Sequence, residues 1–468
     1  MVPFFPKQIA HKAILVYLAS LAVISLVYYN YAMPLGYMAL GITFVAGFFL
    51  IANDITINKK YVKNDSFVLN LFIFSSLLRL VWVIVSYFYY INVTGSPFGY
   101  ENADGAGYHE TAVWLAESPF RTGLDFYFFS NVEPISDAGY PIWLSLIYRI
   151  FGPIVIIPRF IKALLNAYMC VLVYRIAVRT FDENTGKMAG IMCALMPNFI
   201  IYCGYHLKET EMVFLEVAFL DRLDYLLKSR KISLWSILFT TLLGVSLFLF
   251  RTVLGAAAVF SAATAVLISS SPRLKRSGRR VALIAWGILC LIVAGGGTIA
   301  TELEGYWEER EENASSKRLE QTLRGNKWAQ YATGTVMAPL AFVLPFSTMV
   351  NVDQQYGQQE KHGGNFIRNF MGLFVFLAIY EAFRRKKWRD FSMIGAFVIS
   401  YLGVVALSGF SNSERFLLPG LPALILMWAY GVSVLRKQTY RLLTPWCCVV
   451  FVMEFAWAYF KLGSRGLF

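Results

Sequence analysis

The sequence predicts an all-α polytopic membrane protein of about 13 transmembrane helices, N-terminus inside, with amphipathic helices in two long extracytoplasmic loops. Three observations predict it. Of 468 residues, 57% are hydrophobic and 15% charged, where a soluble domain carries roughly 25% charged residues. Apolar runs of the ~20 residues that cross a bilayer recur along the whole chain. Lys and Arg gather in alternate loops, which fixes the orientation.

The expected spans lie at about 13–30, 34–52, 67–91, 159–180, 188–204, 210–227, 233–250, 252–270, 281–299, 366–383, 391–409, 416–434 and 443–461. One set of loops holds Lys59, Lys60, Lys63, Arg175, Arg179, Lys187, Lys228, Arg230, Lys231, Arg273 through Arg280, Arg384 through Arg389, Arg436 and Lys437. These loops are placed inside. The net charge of +13 is then an orientation signal and a lipid-headgroup contact. No soluble domain is expected to carry a nucleic-acid role. The six cysteines lie in or beside apolar runs, so neither a disulfide framework nor a zinc site is indicated. The start, Met1 to Lys7, lacks a small-residue cleavage site, and the first apolar run is expected to remain as an anchor.

Two loops interrupt the short turns, and both fall outside. The first, about 92–158, is rich in aromatic residues, with amphipathic helices expected at about 104–117 and 139–151. In the former, Tyr108, Ala112, Leu115 and Ala116 share a face, with Asp104 at its N-terminal end. The second loop opens on an acidic run, Glu302 to Glu312. It continues to an apolar piece, 335–350, broken by Pro339 and Pro345, which reads as a re-entrant or interfacial segment. The expected organisation is two additional N-terminal helices (1–66), a catalytic transmembrane module (67–300), the second loop (301–365) and C-terminal helices (366–468).

The polar segment Glu101 to Glu110 follows the third span. A carboxylate at Asp104, beside an apolar groove, is placed to take a proton from an acceptor hydroxyl or amine. The competing reading makes Asp104 a helix cap. A second polar knot, Tyr205-His206-Leu207-Lys208-Glu209-Thr210-Glu211, sits in a short outside turn after Pro197. Such a cluster between apolar flanks points to a cavity. Glu209 could position the acceptor or share the base role, and Lys208 could meet an anion. The competing reading is a solvated turn with an internal Lys–Glu pair. His206 has no second ligand at metal-binding spacing.

Arg159, Arg251, Arg368 and Arg415 stand at outside helix ends. Guanidinium suits a phosphate because its planar fork matches the oxygens. Snorkelling to the interface fits Arg368 and Arg159 better than Arg251. Arg79, Glu216 and Glu454 lie inside spans and require polar partners.

The pattern resembles the GT-C superfamily of integral-membrane glycosyltransferases, nearest the bacterial protein-mannosyltransferase-like and lipid A aminoarabinose-transferase-like branch. Four features carry the resemblance, and together they cover roughly residues 67–270 and 405–435. They are Asp104, Tyr108 and Ala112 at four-residue spacing; Gly139-Tyr140-Pro141 leading a helix that ends Phe151-Gly152-Pro153; Pro197 followed by Lys208-Glu209; and Arg415-Phe-Leu-Leu-Pro419 with Pro422.

The resemblance implies inverting transfer from a polyprenyl-phosphate-linked sugar to a lipid, glycan or protein acceptor, at the outer face of the cytoplasmic membrane. Asp104 and Glu209 would be the catalytic carboxylates. Lys208, Arg251 and Arg415 would bind the donor phosphate, where charge develops in the transition state. Glu101, Tyr108, His109, Tyr140 and His206 would line the acceptor and sugar site. No cofactor is required: Glu101, Asp104 and Glu209 could hold a divalent cation if they converged, but lipid-monophosphate donors in the superfamily are commonly used without one.

The sequence departs from the family in its two extra N-terminal helices and in Gly139-Tyr140-Pro141, where a His-Pro-Pro triplet is frequent. No large soluble C-terminal domain follows, which argues against an oligosaccharyltransferase of that design. A polysaccharide polymerase or ligase using lipid-pyrophosphate glycans is the alternative. A secondary transporter or flippase ranks below it, because no repeat is evident and the charges gather at one face.

Overall fold

A computed structural model of the chain describes residues 4–58, 66–100, 102–129, 135–229, 233–268, 342–352, 355–407, 413–436, 440–463 and 467. The expected span at 281–299, the acidic run 302–312 and residues 335–341 of the broken apolar piece lie outside the described residues.

The described chain is helical and carries no β-sheet; an isolated bridge joins Ala32 to Val350. It opens with α1 (Lys7–Val27), α2 (Leu35–Ile57) and α3 (Phe67–Thr94). Each is apolar around most of its circumference, with exposed Leu, Ile, Val and Phe side chains that suit a lipid environment. Gly95 closes α3 in the left-handed conformation (φ 71°), which a residue without Cβ adopts freely. Three helices follow before the next long one: α4 (Asn102–Glu117), α5 (Phe120–Phe129) and α6 (Ile135–Phe151). Of these, α4 and α6 occupy the two expected amphipathic segments and pack on each other. Helix α5 forms where the aromatic stretch around Tyr127 reads as loop.

Next come α7 (Ile156–Thr180), α8 (Glu183–Leu195) and α9 (Pro197–Gly204). The last two lie where one span is expected at 188–204, bent by 41° at Met196. Proline has no N–H to continue the ladder and drives the residue before it out of the α region, here to ψ 114°. Then follow α10 (Glu209–Lys228), α11 (Leu234–Phe250) and α12 (Thr252–Ile268). Beyond the undescribed stretch, residues 342–352 run non-helically through the interior. Asn369 Nδ2 donates to the carbonyls of Val343 (2.5 Å) and Pro345 (2.9 Å) and anchors them.

The chain ends with α13 (Tyr356–Arg384), α14 (Ser392–Leu407), a short α15 (Glu414–Leu417) running through a 3-10 turn into α16 (Leu421–Ser433), and α17 (Tyr440–Gly463). Helix α13 begins ten residues before the expected span at 366. Its opening, Tyr356 to Asn365, is polar and reads as loop by hydropathy, yet most of it is buried.

Among the described residues, seven helices are long and apolar enough to cross a membrane, or eight if the bent α8–α9 pair is one span; α11, α12 and α14 are shorter apolar helices. The chain is a helical membrane protein. Helices α8, α9 and α16 are almost wholly buried at its centre. Close crossings use small residues in place of large ones. A Cβ on Gly431 would lie 2.1 Å from the Phe374 carbonyl oxygen of α13, and one on Gly363 would lie 3.2 Å from that of Gly41 in α2.

Of the three intramembrane charges, Arg79 and Glu454 find partners among the described residues and Glu216 does not. Arg79 donates to Asn166 Oδ1 (2.6 Å), Ser75 Oγ (2.5 Å) and the carbonyls of Ala194 (3.1 Å) and Cys193 (3.2 Å). Glu454 accepts from the Ser347 amide (3.2 Å), whereas neither carboxylate oxygen of Glu216 has a hydrogen-bond partner.

Candidate active site

One end of the bundle gathers the N-termini of α4, α10 and α15 with the α11–α12 junction. Each of the three N-termini places a carboxylate in its first turn: Asp104, Glu209 and Glu414. The unpaired amides there favour negative charge.

Arg415 joins two of these. Its Nη1 donates to Asp104 and its Nε to Glu209. Arg251, at the break between α11 and α12, lies 3.8 Å from the same Glu209 oxygen, and its guanidinium sits 4.5 Å from the Phe416 ring centre. Tyr401 accepts from Arg251 (3.4 Å) and donates to the Phe416 carbonyl (2.9 Å), locking that geometry. Side-chain exposure separates the two carboxylates: Asp104 is 50% exposed and Glu209 is 0%. The open one can meet a substrate, and the closed one fixes two guanidinia. As the third residue of α4, Asp104 uses its carboxylate on Arg415, 311 residues away in sequence, so helix capping does not account for it.

The turn from Tyr205 to Lys208 is buried, not solvated. Lys208 pairs with Asp137 of α6, not with a neighbouring glutamate, and donates to the Phe250 carbonyl at 2.9 Å. Burial, reinforced by Arg251 nearby, pushes its ammonium well below the usual lysine range. Tyr148 of α6 links two histidines, 2.8 Å from His109 Nδ1 and 3.3 Å from His206 Nε2. Burial lowers the pKa of both rings, that of His206 the more, with Arg159 and Lys162 adding to the effect there.

Tyr108 stands edge-on to Tyr140, ring centres 5.1 Å apart. Burial and the Glu209 charge raise its phenol above the usual range. Tyr108 and His109 are part-exposed, while Tyr140 and His206 lie fully buried behind them. Glu101 lies outside the described residues.

Arg159 and Arg368 depart from the expected snorkelling: both are inside the protein, 0% and 2% exposed. Arg159 donates to the Pro97 carbonyl and packs on the Tyr87 ring. The apolar sequence around Arg368 is core, whereas around Arg159 it is mixed, with Ile154 and Leu164 exposed.

Several polar residues at this end carry no sequence signal of their own. Lys361 lies 3.5 Å from Glu414, which also accepts from Asn198. Glu360 accepts from Tyr90 (2.6 Å) and Tyr205 (2.5 Å), whose rings stack on each other. Among the described residues, no group of three or more His, Cys, Asp or Glu side chains is placed to hold a metal ion; a guanidinium lies between Asp104 and Glu209.

No family model and no curated protein matches the chain. Among solved structures it is similar to the crystal structure of the Archaeoglobus fulgidus oligosaccharyltransferase in complex with Zn and sulfate. The identity is 12%, the match covers 85% of this chain and 52% of that one, and the TM-score is 0.41. The chain spans about half the length of that protein. A likeness of this degree leaves fold and activity to the residues themselves.

Proposed function

We propose that the chain is a membrane glycosyltransferase of GT-C type. It moves a sugar from a polyprenyl-phosphate-linked donor to a lipid, glycan or protein acceptor, with inversion, at the extracytoplasmic face of the cytoplasmic membrane. The convergence of three distant segments on Arg415 carries the reading: an exposed carboxylate, a buried carboxylate and a second guanidinium meet at one end of an apolar bundle. Acceptor activation and leaving-group neutralisation are the two demands of this transfer, and the cluster holds a group for each. The gathering of Lys and Arg in alternate loops of the sequence, inside by the positive-inside rule, supports an outward-facing site.

Asp104 takes the acceptor proton as the acceptor oxygen attacks the anomeric carbon from the face opposite the phosphate. The carbon–oxygen bond to the lipid phosphate breaks, and its electron pair stays on the phosphate. Arg415 and Arg251, aligned by Glu209, receive the charge that develops there. Lys208, held in place by Asp137 and the Phe250 carbonyl, joins them as a hydrogen-bond donor to the phosphate. Tyr108 and His109 border the acceptor side, Glu101 precedes them in the chain, and Tyr140 and His206 form the wall behind. The donor tail lies in membrane lipid, so no nucleotide-binding domain is needed.

Donor class is the test. Purified protein given lipid-linked sugars, with envelope extract as the acceptor source, should release free polyprenyl phosphate from one monophosphate donor and form a product of inverted anomeric configuration. Release from pyrophosphate-linked glycans alone would replace this reading by the polymerase or ligase. Movement of a lipid-linked sugar across the bilayer without bond cleavage would replace it by a transporter.

A further inference from the structure

Lys162 lies in apolar α7 with no exposed surface. Its Nζ donates to the carbonyls of Tyr205 (2.9 Å) and Leu207 (2.7 Å), which flank His206. The same ammonium lies 3.6 Å from Glu211 Oε2 and 5.5 Å from the centre of the Tyr140 ring. Tyr205 is the C-terminal cap of α9. A helix end leaves carbonyls without intrahelical partners and carries partial negative charge, and a cation there answers both. The turn it holds runs directly into Lys208 and Glu209. Taking an ammonium out of water is costly unless it is paired and fully hydrogen-bonded. Here its two shortest bonds fall on one four-residue turn and its ion pair on the helix that follows, with a longer bond to the Tyr140 hydroxyl of α6 at 3.4 Å.

We infer that Lys162 is a positioning residue. From beneath, it fixes the turn that presents Lys208 to Asp137 and Glu209 to Arg251 and Arg415, and it touches neither donor nor acceptor. Its catalytic consequence rests on the transferase reading above; its hold on the turn does not.

The experiment compares wild type with Lys162→Met and with the double variant Lys162→Met/Glu211→Gln, all in nanodiscs. Three quantities are read: backbone hydrogen exchange over residues 205–212, thermal unfolding, and kcat with donor KM for lipid-phosphate release. In Lys162→Met, exchange over 205–212 should rise roughly 10-fold while α1–α3 are unchanged. The kcat should fall about 10- to 100-fold, as expected when a reacting group is displaced by an ångström, with donor KM changed less than about threefold. The double variant, which also removes the buried carboxylate left without its cation, should regain thermal stability but neither the slow exchange nor the kcat.

Recovery of kcat in the double variant would show that Lys162 serves only to neutralise Glu211 and would overturn the inference. Wild-type exchange over 205–212 in Lys162→Met would overturn it as well. Should wild type release no lipid phosphate from any donor, the transferase reading falls, and exchange over 205–212 still decides whether Lys162 holds the turn.

Discussion

Arg415 serves two carboxylates with two different nitrogens, a division that a planar fork permits and a single ammonium does not. Lys at this position keeps the charge but cannot span Asp104 and Glu209 together. Arg415→Lys should therefore lower kcat/KM by roughly 10²-fold, measured as lipid-phosphate release at subsaturating donor. A fall of less than about threefold would remove Arg415 from the reacting site.

His206 gives a pH signature. Burial holds its pKa well below 6.5. A depressed imidazole contributes stability above its unfolded value and loses it as pH falls through that value towards the folded one. The unfolding temperature should drop between about pH 7 and pH 5, and His206→Gln should flatten part of that drop. An identical slope in the variant would mean that other groups account for it.

Asp104, Glu209, Arg251 and Arg415 are legible in the sequence because each is a charge beside an apolar run, where a bilayer tolerates it only for a reason. The same logic passes over Lys162 and Lys361. A lone lysine within a helix gives no indication of which backbone carbonyls or carboxylate from elsewhere in the chain will meet it.

Most helices are legible from hydropathy, since burial in protein and burial in lipid select the same residues. Three places escape it, each for a physical reason. Tyr356 to Asn365 is polar yet helical, because its side chains pair inside the bundle: Glu360 with two tyrosines, Lys361 with Glu414, and His362 with Tyr17 at 2.6 Å. Residues 188–204 are apolar apart from Asn198, but Pro197 breaks the backbone. Helix α5 is too short to register as a span.

Element packing makes its own prediction. At the α13–α16 crossing Gly431 faces backbone, which cannot move aside as a side chain can. Gly431→Ala should cost about 1–3 kcal/mol, read as a lowered unfolding temperature in detergent. The same substitution at Gly395, which has open space around it, should not cost stability. Equal effects at the two sites would contradict the crossing.

For the whole molecule, orientation decides whether a lipid-linked sugar displayed outside can reach the site. In a cysteine-free background, Arg121→Cys should react with a membrane-impermeant maleimide on intact cells. Lys387→Cys, at the opposite end, should react only after permeabilisation. Both positions are exposed in the fold, so burial would not mask the result. The reverse pattern would put the carboxylates and guanidinia on the cytoplasmic side and remove the proposed donor.

The central claim is that Asp104 removes the acceptor proton. Asn in its place keeps the size and the ability to accept from Arg415 but removes the basicity. Lipid-phosphate release by purified wild type and Asp104→Asn, with matched unfolding temperatures, tests this most directly. A loss of at least ~10²-fold in kcat is predicted for the variant. Release within a few-fold of wild type would show that Asp104 holds Arg415 in place and that the base lies elsewhere.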